Sequence, residues 1–175
     1  MIRDVFAWMD ALPSSIAIRE SLNAFPILLT THVLSMALFA GLVMMMDFRL
    51  AGIGNRSTSI TDAQERLFPY QLIGGIVSFV TGALLFYSKP LTYFSNFHFW
   101  LKMLLLLLAF ANVAYFHFKT YATVDEWNHE PTPPSPVRMA GYVSIGLWSL
   151  IIVIGRMAAY PGLVPQWWIN FGLDG

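Results

Sequence analysis

Four histidines stand out in a chain otherwise rich in apolar residues. His32 lies about ten residues inside one apolar run, His98 and His117 near opposite ends of another, and His129 in an acidic stretch where a solvated side chain is expected. Polar side chains inside a membrane are costly, so they are the first candidates for function. Neutral imidazole ligates haem iron, and a helical bundle encloses the flat macrocycle. The chain has no cysteine, which excludes disulfides, thiolate metal sites, cysteine nucleophiles and covalent haem attachment through C-x-x-C-H. Histidines without cysteine therefore point to non-covalent haem b, with His32 and His117 as the axial pair. The alternative is that each histidine is buried and hydrogen-bonded between helices.

A second polar group contains Glu20, Lys102 and Arg156. Lys102 and Arg156 each fall about one turn inside an apolar run. They either snorkel to headgroups and pair with Glu20, or form a cationic pocket for haem propionates or a quinone headgroup. Arg138, Tyr142, Ser149 and Arg156 recur at heptad-like spacing and share one direction. His98, Lys102, Ala109 and Asn112 share a face, and His117 points about a third of a turn away from it. Met44, Met45 and Met46 provide another possible iron ligand near the depth of His117. No H-E-x-x-H, P-loop, G-x-S-x-G or Rossmann signature is present, so hydrolase, kinase and dehydrogenase readings have no support.

The elements that must position these residues follow from composition. Of 175 residues, 57% are hydrophobic and 11% charged, against about 45–50% and about 25% in soluble domains. Net charge is zero, so no basic face for nucleic acid is implied. The sequence predicts an all-α, single-domain, four-helix transmembrane bundle. Its spans fall at about 22–46, 70–87, 97–118 and 137–160. Residues 1–12 carry an amphipathic period too short and too charged to span, and predict an N-terminal interfacial helix. The tail 161–175, with Trp167 and Trp168, predicts a second interfacial anchor.

The first helix is expected to run from near Ser15 to Leu50, and Thr61 with Gln64 to cap a short surface helix. Residues 121–136 are expected to form an extended surface loop. No cleavable signal peptide is evident; the first long span serves as the insertion signal.

Four spans put both termini on one side, side A, and the two polar loops on side B. Side B carries Arg49, Arg56, Arg66, Lys119 and Arg138, and side A carries Arg3, Arg19 and Lys89. The balance leans toward side B as cytoplasmic and the termini as periplasmic. With span midpoints near Leu34 and Ala109, His32 differs from both His98 and His117 by roughly 13–15 Å in depth. A single upright haem needs ligands at similar depth, so pairing His32 with either His98 or His117 requires a tilted ring or a midpoint error of about four residues.

The strings ESLNAFP, THVLSMALFAG, DFRLAG, TGALLF, NFHFWLK, NVAYFHF and IGRMAAY resemble a family of uncharacterised bacterial four-helix inner-membrane proteins. The likeness runs from about Ser15 to Tyr160. Its matching positions are Glu20, His32, Asp47, Arg49, Asn96, Lys102, Asn112, His117, Arg156 and Tyr160. His98 and His129 fall outside that pattern, so the resemblance favours His32 and His117 as the special pair. It implies four helices in a bacterial inner membrane and supplies no activity. In architecture alone the chain is similar to four-helix b-type cytochromes, whose multi-histidine pattern it lacks.

Two functions follow as expectations. One is a small haem-b electron-transfer subunit exchanging electrons with quinone or a redox partner, using His32 and His117 on iron and Lys102 and Arg156 on carboxylates. The other is a non-catalytic membrane anchor or accessory subunit that docks a partner through its loops. A carrier for a small anion is a third reading.

Overall fold

The computed structural model describes residues 2–54, 58–130 and 132–170. Arg56 and the tail residues 171–175 lie outside the described residues. In chain order the helices are α1 (Ile2–Asp10), α2 (Pro13–Glu20), α3 (Ala24–Leu50), α4 (Ile60–Ser88), α5 (Pro90–Phe94), α6 (Phe97–Tyr115), α7 (Val124–Trp127), α8 (Ser135–Met157) and α9 (Gln166–Asn170). Among the described residues there is no strand. Helices α3, α4, α6 with its continuation, and α8 are each long and apolar enough to cross a membrane. The protein is a multi-pass membrane protein with an all-α bundle. Its exposed outer faces carry residues such as Leu34, Phe79, Leu107 and Val153, as a lipid-facing surface requires.

The expected continuous helix from Ser15 to Leu50 is broken at residues 21–23. The Ser21 hydroxyl accepts hydrogen bonds from the backbone N–H of Asn23 and of Ala24, a local alternative to helical bonding. Pro26 follows in the first turn of α3, where its missing N–H costs nothing. Helix α4 runs unbroken from the side-B surface through its span, with Pro69 inside it. Its cap is Ser59, whose hydroxyl accepts from the Asp62 N–H at 3.1 Å, in place of the expected Thr61–Gln64 box.

The bundle is held by three main seams: α3 on α4, α3 on α8 and α6 on α8. Going round the bundle the order is α4, α3, α8, α6, so α3 and α6 are parallel helices on one diagonal. At Gly141 the α8 backbone lies directly on α3; a Cβ there would stand 2.8 Å from the Asp47 carbonyl oxygen. Small residues of this kind permit close helix approach in membranes. A core cluster of Ala40, Leu105, Ala109, Trp148 and Ile151 joins α3, α6 and α8.

Side B is closed by a folded cap. The expected extended loop at 121–136 instead buries Trp127 among Met46, Leu50, Ile60, Ala63 and Val137. Asn128 accepts from the Thr61 N–H at 3.0 Å and donates to the Thr61 hydroxyl at 2.8 Å. Arg49, only 1% exposed, donates to the carbonyls of Thr58 and Glu130. An indole to bury and two side chains that pair with backbone outweigh the solvation that the acidic, proline-rich composition suggests.

On side A, Ser15 and Arg19 of α2 donate to the last carbonyls of α4, at Tyr87 and Ser88, and so cap that helix. Arg19 also pairs with Asp10 at 3.0 Å. Helix α1 packs on α5, with Phe6 against Phe86 and Phe94, and leaves Ile2, Val5 and Trp8 exposed. An amphipathic helix lying in the interface has this form.

Candidate functional site

His32 of α3 turns toward α4. Its Nδ1 lies 2.9 Å from the Ser78 carbonyl and 3.1 Å from the Thr81 hydroxyl. A carbonyl can only accept, so Nδ1 carries the proton and the neutral ring presents a bare Nε2. Histidines that ligate metals are oriented in this way, by a hydrogen bond from the other ring nitrogen to a carbonyl. Nε2 has no hydrogen-bond partner among the described residues. The ring lies on Gly82, where a Cβ would stand 3.0 Å from its Cε1, so Gly82 is what makes room for it.

Lys102 of α6 is near enough for His32 to feel its charge. Its chain lies along Gly155 of α8, with Cδ, Cε and Nζ 3.5–3.7 Å from the position a Cβ would take. The ammonium has no ion-pair or hydrogen-bond partner among the described residues. Glu20 is exposed, and no ion pair joins it to Lys102 or Arg156 there.

The other two residues expected in the site lie elsewhere. Arg156 is exposed and donates to the Tyr160 hydroxyl at 2.6 Å, with its guanidinium over the Tyr160 ring. Among the described residues no hydrogen bond or ion pair joins it to Lys102. His117 is exposed on the π-helical turn Phe116–Thr120 that continues α6, stacked on Tyr121. His117 does not face the interior, and His32 and His117 are not brought together.

Register explains the separation. Along α3 and α8, Gly141 meets Asp47 and Leu50, and Phe39 meets Trp148. Along α6 and α8, Asn96 donates to the Ala158 carbonyl and Asn112 to the Ala140 carbonyl. Continuing both antiparallel registers sets His32 level with the last turn of α8 and with the His98 turn of α6. His117 is level with the start of α8 and with the end of α3. At ~1.5 Å per residue it lies roughly 30 Å from His32 along the bundle. Apolar midpoints misjudged this because the helices are staggered: His32 lies eight residues beyond the start of α3 at Ala24, whereas His98 lies one residue beyond the start of α6 at Phe97.

His98 is the residue that sequence reasoning set aside. It is 3% exposed, and its Nδ1 has no partner. With Leu105 and Ala109 it makes up the buried face of α6, and Lys102 lies on the same stripe. The signal was present in the shared face of His98, Lys102 and Ala109. Asn96 seats this end of α6: its side-chain oxygen accepts from the N–H of His98 and of Phe99 while its amide holds α8. Among the described residues no group of three or more histidine and carboxylate side chains forms a metal cluster. The chain matches no protein-family model, no curated protein and no solved structure.

Proposed function

We propose that the protein is a small membrane-embedded redox subunit that holds haem b non-covalently in the side-A half of its bundle, with His32 as an axial ligand. The observation that carries this reading is the His32 ring itself. Its Nδ1 is fixed by the Ser78 carbonyl and Thr81, and its Nε2 has no hydrogen-bond partner among the described residues. Bound there, haem would supply one-electron chemistry. The chain's part is to orient His32, to keep water out with the packed side-A aromatics, and to set the Lys102 ammonium against a propionate carboxylate. Quinone or a redox partner protein would exchange the electrons. Purified protein supplied with hemin should give a Soret band with sharp reduced α and β bands, and a colourless product would remove the proposal.

The reading includes a bacterial inner-membrane location with both termini periplasmic. Reporter fusions at residues 60, 92 and 128 should then read cytoplasmic, periplasmic and cytoplasmic; the reverse pattern would invert the orientation.

The second reading, a non-catalytic accessory subunit, is favoured by a different observation. The side-B cap is locked by Asn128 and Arg49 and presents Asp125, Glu126 and Glu130 outward on a rigid base. A surface built that firmly suits docking of a partner, and colourless protein would favour it.

A further inference from the structure

We infer that His98 is the second imidazole of this site, so that His32 and His98, with Lys102 one turn deeper, make a two-histidine seat for one planar macrocycle. The inference rests on the redox reading above and deepens it by replacing the partner that the sequence offered.

Three independent observations carry it. The first is depth: the contacts of α8 with α3 and with α6 set His32 and His98 level. The core cluster gives the same answer, because Ala40 of α3 and Leu105 of α6 meet in it. Stepping back two turns along these parallel helices from that meeting point reaches His32 on one and His98 on the other.

The second is direction. His98 heads the buried face of α6, and His32 turns inward onto Gly82 rather than out to lipid. Helices that pack as neighbours lie about 8–10 Å apart, so members of a diagonal are separated by about 11–14 Å. Glycines 82 and 155 stand at the level of the pair, where the His32 ring and the Lys102 chain occupy the space their side chains would take.

The third is unmet bonding. His98 Nδ1 is buried without a partner, and the Nε2 of His32 has none among the described residues. The buried His98 Nδ1 forfeits a hydrogen bond, the half-buried His32 makes none through Nε2, and a shared metal centre would engage both imidazoles. The Lys102 ammonium beside them adds the charge that a propionate carboxylate needs.

The test uses the full chain, purified in detergent with hemin supplied. Wild type is expected to be low-spin and six-coordinate. His98→Ala should turn the bound haem high-spin and five-coordinate and weaken its retention at least tenfold. His117→Ala should leave the wild-type spectrum unchanged. His98→Met, which keeps an axial ligand of similar length, should remain six-coordinate with a shifted spectrum, separating ligand loss from misfolding. A low-spin spectrum that survives His98→Ala, or one that disappears in His117→Ala, overturns this inference and leaves the redox reading standing. Wild type that takes up no hemin overturns both.

A haem-free measurement uses the cysteine-free background. A short bis-maleimide should bridge His32→Cys with His98→Cys and fail to bridge His32→Cys with His117→Cys. The opposite result overturns the inference.

Discussion

Adding one methyl group to either of two glycines on α8 should change stability in opposite directions. At Gly141 a Cβ would lie 2.8 Å from the Asp47 carbonyl oxygen, 3.0 Å from the Ala51 nitrogen and 3.2 Å from the Leu50 Cβ. Two of those three atoms are backbone of α3 and cannot swing aside, so relief requires the helices to part. Overpacking of this kind costs about 1–3 kcal/mol. Replacing a helical glycine by alanine returns about 0.5–1 kcal/mol in propensity, which leaves Gly141→Ala destabilised by up to about 2.5 kcal/mol. Gly146, five residues on, has nothing within 4 Å of its Cβ position. Gly146→Ala should therefore keep the propensity gain and be more stable than wild type by up to about 1 kcal/mol. SDS titration in mixed micelles followed by far-ultraviolet circular dichroism measures both variants against wild type. If Gly141→Ala proves as stable as Gly146→Ala, the α3–α8 seam is not the close backbone contact described, and the register drawn from it fails too.

Gly82→Ala should push the His32 ring off its seat, because the new Cβ would meet Cε1 at 3.0 Å. Hemin affinity should fall at least tenfold with stability changed by no more than about 1 kcal/mol, and unchanged affinity in a hemin titration would remove His32 from the site. Asn128→Ala deletes both bonds to Thr61 and should cost the cap about 1–3 kcal/mol, read as faster proteolysis near residue 128. Arg156→Leu should insert and fold with stability within about 1 kcal/mol of wild type, since its partner Tyr160 is exposed; loss of hemin binding in that variant would return Arg156 to the site. Burial pushes the Tyr93 phenol, outside the spans, above the ordinary tyrosine value. The stability this contributes is intact below about pH 10 and lost as pH rises through the folded value. Tyr93→Phe should therefore flatten the alkaline loss in unfolding midpoint, and an identical loss in the variant would refute the assignment.

The four spans were legible because length and hydropathy are properties of the chain itself, and the lipid requirement for satisfied backbone leaves few ways to arrange them. The end of α3 was legible at Gly52, which takes a φ of 75° where the helix stops. Depth was not legible. Apolar runs mark the hydrocarbon slab but not where each helix begins, and α3 begins at Ala24 only because Ser21 captures two backbone N–H groups first. The axial stagger of α3 and α6, whose starts lie about two turns apart in depth, was enough to hide the level pairing of His32 with His98. The side-B cap was misread for a different reason. Proline and acid indicate solvation, and Trp127 was the one residue in that stretch arguing otherwise; its burial depends on a pocket assembled from α3, α4 and α8.

The side-B cap and the proposed site lie at opposite ends of the bundle and use different polar groups. At side B, Asn128 and Thr61 pair with each other and Arg49 with backbone carbonyls, while Asp47 Oδ2 and Arg138 Nε are buried without a partner. In the side-A half, His32 Nε2 and Lys102 Nζ have no protein partner among the described residues, and His98 Nδ1 is buried with none. Unmet groups cost stability wherever they occur, and in the side-A half the proposed ligand would meet them. The centres lie far enough apart along α3 to act independently, so their effects should add. Combining Asn128→Ala with Gly82→Ala should give the sum of the single stability changes to within about 0.5 kcal/mol. Hemin affinity should follow Gly82→Ala alone. Coupling beyond that margin would mean that the cap and the site share one network, and the division argued for the bundle would be wrong.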